Sequence, residues 1–216
     1  RSNTLGVKVA SLGGSIATAG ISATEDVLVN AAQSLSVTGP ISARNVILLS
    51  GNNVTTGLVF AGAVLPPGVP ASAINPASIT NATGTVLIAS NTMATETFLR
   101  SASTNYTALL AASPVRVAGA VNTGALVAGQ FVSFSQGNMT GSFIAAFNGL
   151  TVESDGLVTV GQRWQAPTMQ IASADISIID NGTLANPFGQ PVLSGLRTTA
   201  TGSIGLVATG SGPAII

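Results

Sequence analysis

Cysteine and histidine are both absent from this 216-residue chain. Their absence removes disulfides, thiolate nucleophiles, imidazole bases and the usual zinc ligands in one stroke. Charge is scarce as well. Only 6 % of residues are Asp, Glu, Lys or Arg, and the net charge is zero, far below the usual quarter or so of a globular chain. Nothing basic is concentrated enough to hold nucleic acid or an anionic membrane surface. Aromatics make up 4 %, too few for the girdles of a transmembrane barrel. The longest apolar run, Gly57 to Leu65, stops at Pro66-Pro67 and falls well short of the roughly 20 residues of a membrane helix. The chain starts at Arg1 with no basic and apolar leader, which reads as a processed chain or a fragment.

What is present is aliphatic: 46 % of residues are hydrophobic, enough for a sizeable core. They come in short bursts separated by Gly, Ser, Thr, Asn and Pro. The bursts repeat. "VKVASLGGSIATAG" from Val7, "VLVNAAQSLSVTG" from Val27 and "VILLSGNNVTTG" from Val46 are written alike and close on Gly20, Gly39 and Gly57. Ile21–Ala23 and Ile41–Ala43 share the tripeptide ISA. Later, Phe131, Leu150 and Met169 open three looser copies at a spacing of 18–19 residues. A period near 20 residues is that of a solenoid coil, and alternation within the bursts is strand period.

The sequence therefore predicts an all-β fold, a parallel β-helix (β-solenoid) with coils of about 18–20 residues. The competing architecture, a β-sandwich, accounts less well for the pairwise identity of the first coils. Residues 1–57 and 115–216 are expected to be solenoid coils. Residues 58–114 read as an irregular insertion, with a resumed coil at 86–93. The segment 93–112 is the one place where a helix is expected. Inward Ala17, Ala19 and Ala43 would suit a narrow interior, corner glycines would supply positive φ, and aligned Asn and Thr would form ladders along the axis.

The pattern L-x-V-x-G-x-I-x-A-x-x-V-x-L-x-S, here Leu35, Val37, Gly39, Ile41, Ala43, Val46, Leu48 and Ser50, resembles the degenerate repeats of filamentous-haemagglutinin-like exoproteins. The resemblance extends to "MQIASADISIIDNGTLANP" from Met169. It implies that the parallel β-helix is right-handed, and it implies export to the bacterial cell surface and adhesive or matrix roles. Such proteins are far longer and begin with a secretion domain whose signature has no counterpart here.

Seven carboxylates exist: Glu25, Asp26, Glu96, Glu153, Asp155, Asp175 and Asp180. Glu153 and Asp155 are the only pair that a continuing strand would place on one face. Corner capping explains them better than the paired carboxylates of a glycosidase. No calcium loop or phosphate loop is written. Arg163 and Trp164, in "GQRWQAP", are the candidates for ligand contact, by stacking on a sugar ring. Five N-x-S/T sequons, at Asn53, Asn81, Asn105, Asn138 and Asn181, are close to chance in so Thr-rich a chain. The expectation is a non-catalytic structural or adhesive segment of a secreted, cell-surface rod, with no cofactor and no metal. Its partners would be copies of itself, neighbouring coils of a longer chain, or surface glycans and other cell-surface partners. A self-assembling extracellular filament subunit and a β-helical polysaccharide-active enzyme are the alternatives.

Overall fold

In a computed structural model the chain is a parallel β-solenoid. The structure describes residues 6–90 and 119–178, and beyond them the strands 183–185, 191–193, 195–197 and 203–208. The segment 93–112 lies outside the described residues, and no α-helix occurs among those described.

Each coil has three sides, and three parallel sheets run along the axis. The first sheet begins with β1 (Gly6–Ser11), β4 (Asp26–Ala31), β7 (Asn45–Ser50) and β10 (Thr85–Ser90). It continues through the ends of β11 (Val121–Ser135) and β12 (Met139–Ser154) to β15 (Thr168–Ser173) and β20 (Ser203–Ala208). The second sheet stacks β2 (Ile16–Thr18), β5 (Leu35–Val37), β8 (Val54–Thr56), the starts of β11 and β12, β13 (Leu157–Val160) and β16 (Asp175–Ile178). The third stacks β3 (Ile21–Ser22), β6 (Ile41–Ala43), β9 (Val59–Ala61), the middles of β11 and β12, β14 (Arg163–Gln165) and β19 (Gly195–Arg197). Eight layers at the usual inter-strand spacing make a rod roughly 40 Å long.

The register explains the repeat. Val7 lies on Val27 and Val27 on Val46. The eight letters of the repeat pattern are the interior of one coil: Leu35 and Val37 on the second side, Gly39 at a corner, Ile41 and Ala43 on the third side, Val46, Leu48 and Ser50 on the first. The apolar ones are buried in one continuous core. Each inward position is a column down the rod. Val27, Val46, Val86, Phe131, Leu150 and Met169 form one such column. Ala43, Ala61, Ala128, Ala146 and Ala166 hold the tight corner between third and first sides. Ala17 is exposed, because Ile16 and Thr18 take the inward positions of that short strand.

Corners are held by side chains that stand in for strand bonds. Ser50 Oγ donates to the carbonyl of Gln33 (2.6 Å), lies 3.0 Å from that of Asn53 and accepts from Asn52 N. Ser90, Ser154 and Ser173 make related bonds from the same column. At the next position a side chain of one coil receives the amide of its counterpart in the following coil. Ser15 Oγ accepts from Ser34 N, Asn53 Oδ1 from Ala120 N, and Asn138 Oδ1 from Leu157 N. Two of the sequon asparagines thus belong to the corner ladder. The corner glycines differ from expectation in their reason. Gly20, Gly39 and Gly57 are absent from the positive-φ residues. They are glycine because a Cβ on Gly39 would collide with the carbonyl of Ala19, and one on Gly57 with that of Thr38. Close stacking, not backbone handedness, selects them.

The insertion begins later than the sequence suggests. Val59–Ala61 stays in the stack as β9, paired with β6, so the chain leaves only at Gly62, with φ +64°. It returns at Thr85, and β10 lies on β7 with Val86 over Val46. Between these points, residues 62–84 fold against the outer side of the third sheet. Two 3₁₀ turns, η1 (Ala71–Ala73) and η2 (Pro76–Ser78), shape the excursion, the second capped by Asn75 Oδ1 accepting from Ala77 N. Ile74 and Ala82 pack with Phe60, Val127, Phe143 and Ala145. The Pro-rich composition that spoke against strand is here an apolar cover. Its tip is exposed, with Val64 at 86 %, and Pro66–Val69 closes a turn there with Gly68 at φ +75°.

A second outer cluster, formed by Leu28, Ile47, Leu49, Leu87, Ala89 and Val132, is buried on the outward side of the first sheet. The second sheet has no such cluster among the described residues. Its outward column of Ser36, Thr55, Asn122, Thr140, Thr159 and Ser177 is hydroxylic and uncharged.

Candidate functional site

Arg163 and Trp164 are separated by the alternation of β14. Trp164 points inward and is fully buried. It lies on Ile144 in the third sheet, and its Nε1 donates to the carbonyl of Gly141 at 3.1 Å. The indole fills the space that a side chain at position 141 would need. A Cβ there would stand 2.7 Å from Cζ2 of Trp164 and 2.9 Å from Cδ1 of Ile144. Trp164 is therefore a core residue, and the expectation of an exposed stacking platform is corrected for it. The clue was in the spacing: Trp164 occupies the column of Ile41, Val59, Leu126 and Ile144, all inward.

Arg163 points outward. Its guanidinium sits 5.0 Å from the centroid of the Phe143 ring in the coil before, a cation–π arrangement. Phe143 is itself buried in the outer cluster beneath the excursion. Arg163 thus caps the edge of that cluster.

The described carboxylates are dispersed. Asp26 is buried at the corner before the first sheet. It accepts from Arg44 Nε and Nη2, both at 3.1 Å, and from Asn45 Nδ2 at 2.8 Å. Arg44 also meets Glu25 at 2.6 Å. Asn45 Oδ1 in turn accepts from Thr85 N. The cluster joins three successive layers and turns its carboxylate to the chain's own donors. Glu153 and Asp155 do not share a strand face, because β12 ends at Ser154 and Asp155 sits in the bend, donating its amide to Ser135 O. Asp175 opens β16 at the next corner. Glu96 and Asp180 lie outside the described residues. Among the described residues no three metal-ligating side chains come together, and no helix is long and apolar enough to cross a membrane.

One open depression of about 260 Å³ lies on the outer side of the first sheet near its last layers. Thr151, Glu153, Gln170, Gly205 and Val207 line it. It arises where Gly205 interrupts the outward column. Among the described residues Glu153 is the one carboxylate that lines it.

No protein-family model, curated protein or solved structure matches this chain. What the residues define is a β-solenoid whose corners are closed by side chains such as Ser50, Asn53, Ser90, Asn138, Ser154 and Ser173.

Proposed function

We propose that this chain is a non-catalytic structural and adhesive segment of a large secreted, cell-surface β-solenoid protein of the filamentous-haemagglutinin-like kind. The observation that supports this best is the interior of the stack. Aliphatic, alanine and serine columns run in register from layer to layer, and none of the described inward positions is titratable. Such a stack is a stiff spacer whose specificity resides in what projects from it. The projecting candidate among the described residues is the tip Val64–Pro70, held by an excursion that is anchored at Ile74 and Ala82. Among the described residues the carboxylates lie apart or, like Asp26, serve as corner links.

The test is binding of the purified chain to glycan arrays and cell monolayers, beside a variant in which residues 64–70 are replaced by Gly and Ser. Saturable binding by the parent that the variant loses is the expected result. Absence of binding by the parent would remove the adhesive role. Saccharide release from a polysaccharide panel that disappears with Glu153→Gln would turn the reading to an enzyme.

A further inference from the structure

The excursion ends in a tip whose side chains are all aliphatic. Residues 64–70 read Val-Leu-Pro-Pro-Gly-Val-Pro, and none carries a hydrogen-bonding group or an aromatic ring. Val64 and Val69 are exposed, while Leu65 packs against the outer cluster of the third sheet. The tip is held on both flanks. Ala63 bridges Ala82, and Ala71 and Ile74 belong to the same outer cluster. Prolyl rings fix φ at positions 66, 67 and 70, and Pro70 stands at φ −65° and ψ 140°. Its carbonyl accepts from Ala73 N at 2.9 Å. Pro67 and Gly68, the latter at φ +75°, form a turn of the type II kind, closed by Val69 N donating to Pro66 O.

The backbone of the tip is one-sided as well. Pro66, Pro67 and Pro70 have no N–H, and that of Val69 is bonded to Pro66 O. Of residues 66–70 only Gly68 keeps an amide to offer. The carbonyls of Leu65, Pro67, Gly68 and Val69 accept no bond from the described residues. The tip thus presents aliphatic surface set with acceptors. A saccharide would find no side-chain hydrogen bond and no ring to stack on. A lipid interior would leave the carbonyls unsatisfied, and no charged residue occurs between Arg44 and Glu96 to draw the tip to headgroups. What fits is a surface that is apolar and donates hydrogen bonds at once. Tryptophan and tyrosine combine the two, with a ring to lie against Pro or Val and an N–H or O–H for a carbonyl. A second copy of this chain supplies little of either, since it has one Trp, which is buried, and one Tyr.

We infer that the tip Val64–Pro70 is a docking knob for another protein, and that its receptor is a pocket lined by Trp and Tyr side chains. The inference rests on the adhesive reading and gives that reading its partner class. Val64 and Val69 are the apolar anchors, and the free carbonyls set the orientation in the pocket. Because the turn is preformed and its flanks are packed, seating it costs little ordering entropy.

The test binds the full chain to cell monolayers that are untreated, stripped of surface glycans by glycosidases, or shaved with protease. Saturable binding should survive the glycosidases and disappear on shaving. It should also disappear after surface tryptophans are oxidised and surface tyrosines nitrated on the monolayer. The double variant Val64→Ser, Val69→Ser is expected to bind more weakly by about tenfold or more, with an unchanged circular dichroism spectrum. Gly68→Val, which resists positive φ, should weaken binding too, whereas Gly68→Asn, which tolerates it, should keep it. A Cβ at position 68 meets nothing within 4 Å, so the contrast lies in the backbone. Binding of the parent to no monolayer would end the adhesive reading and this inference together. Four other results would overturn this inference and leave the adhesive reading standing. They are binding that the glycosidases abolish, equal binding to vesicles of phosphatidylcholine alone, binding that survives both the oxidation and the nitration, and binding unchanged in Val64→Ser, Val69→Ser. Self-association in sedimentation that the same double variant loses would assign the tip to a second copy instead.

Discussion

At the scale of single residues, the solenoid is a set of columns, and each residue is judged by the column it stands in. Gly141 and Trp164 depart from theirs together. Val37, Thr56, Thr123 and Val160 occupy the column of Gly141, and Ile or Leu is usual in that of Trp164. The two changes compensate: one removes a side chain where the other adds an indole. Trp164→Leu should cost about 2–4 kcal/mol by leaving a cavity, and Gly141→Val about 1–3 kcal/mol by overpacking against the ring. The double change Gly141→Val, Trp164→Leu restores the common filling and should cost less than the two added together. Urea unfolding of the four proteins measures the coupling. Additive losses would mean that the indole and the glycine are not a matched pair. The columns were legible in the sequence because the interior pattern repeats almost unchanged between Val27 and Ser50. The role of Trp164 was not, because its polar neighbours Gln162, Arg163 and Gln165 suggested a ring exposed for ligand contact. The column number, counted from Ile41, was the better guide. The glycines were legible as corners but not in their cause, since a forbidden Cβ contact depends on the layer below and has no local signature.

At the scale of elements, the strands differ most from the expectation of short bursts. The sequence reading divided the chain at every Gly, yet β11 and β12 run 15 and 16 residues through all three sides. Gly124, Gly129 and Gly149 bend these strands without ending them, a register shift between Ala128 and Gln130 being the only irregularity in their mutual pairing. The excursion 62–84 was visible as a break in rhythm but not as a packed cover. Its anchoring residues are two small or aliphatic side chains, Ile74 and Ala82, in a segment whose prolines dominate its appearance. Its partner surface, Phe60, Val127, Phe143 and Ala145, lies on the outward parity of three different coils. No local window contains both halves. Replacing residues 63–83 with a short Gly-rich turn should therefore unmask that surface. The expected outcome is a chain that keeps its β-sheet signal by circular dichroism, melts at a lower temperature and binds a hydrophobic dye. Unchanged dye binding would show that the excursion contributes no cover.

At the scale of the whole molecule, each layer touches only its neighbours, so stability is a sum along the axis rather than the property of one centre. Residues that join layers at a distance matter accordingly. Asp26, Arg44, Asn45 and Thr85 connect the second, third and fourth layers at one corner, and the burial of Val46, Leu48, Val86 and Ile88 is complete there. Hydrogen exchange should be slowest in β7, β10 and the first-sheet part of β12, where the inward side chains are fully buried, and faster in β1 to β3, whose layer includes the exposed Val9 and Leu12. Equal protection from end to end would argue for a single cooperative unit instead. The three sides also differ in what they offer the surroundings. Two carry apolar clusters on their outer surfaces, while the second presents hydroxyls and amides.

The departure of the chain at Gly62 and its return at Thr85 has a mechanical meaning. A rod of this kind, pulled by its ends, gives way by peeling layers in turn. From Asp26 to Asn45 a released layer frees 19 residues, roughly 65 Å of extended chain. From Asn45 to Thr85 the same event frees 40 residues, roughly twice that length. The excursion is slack stored against the side of a stiff rod. It lets one layer yield a long stretch of tether while the layers beyond it remain stacked.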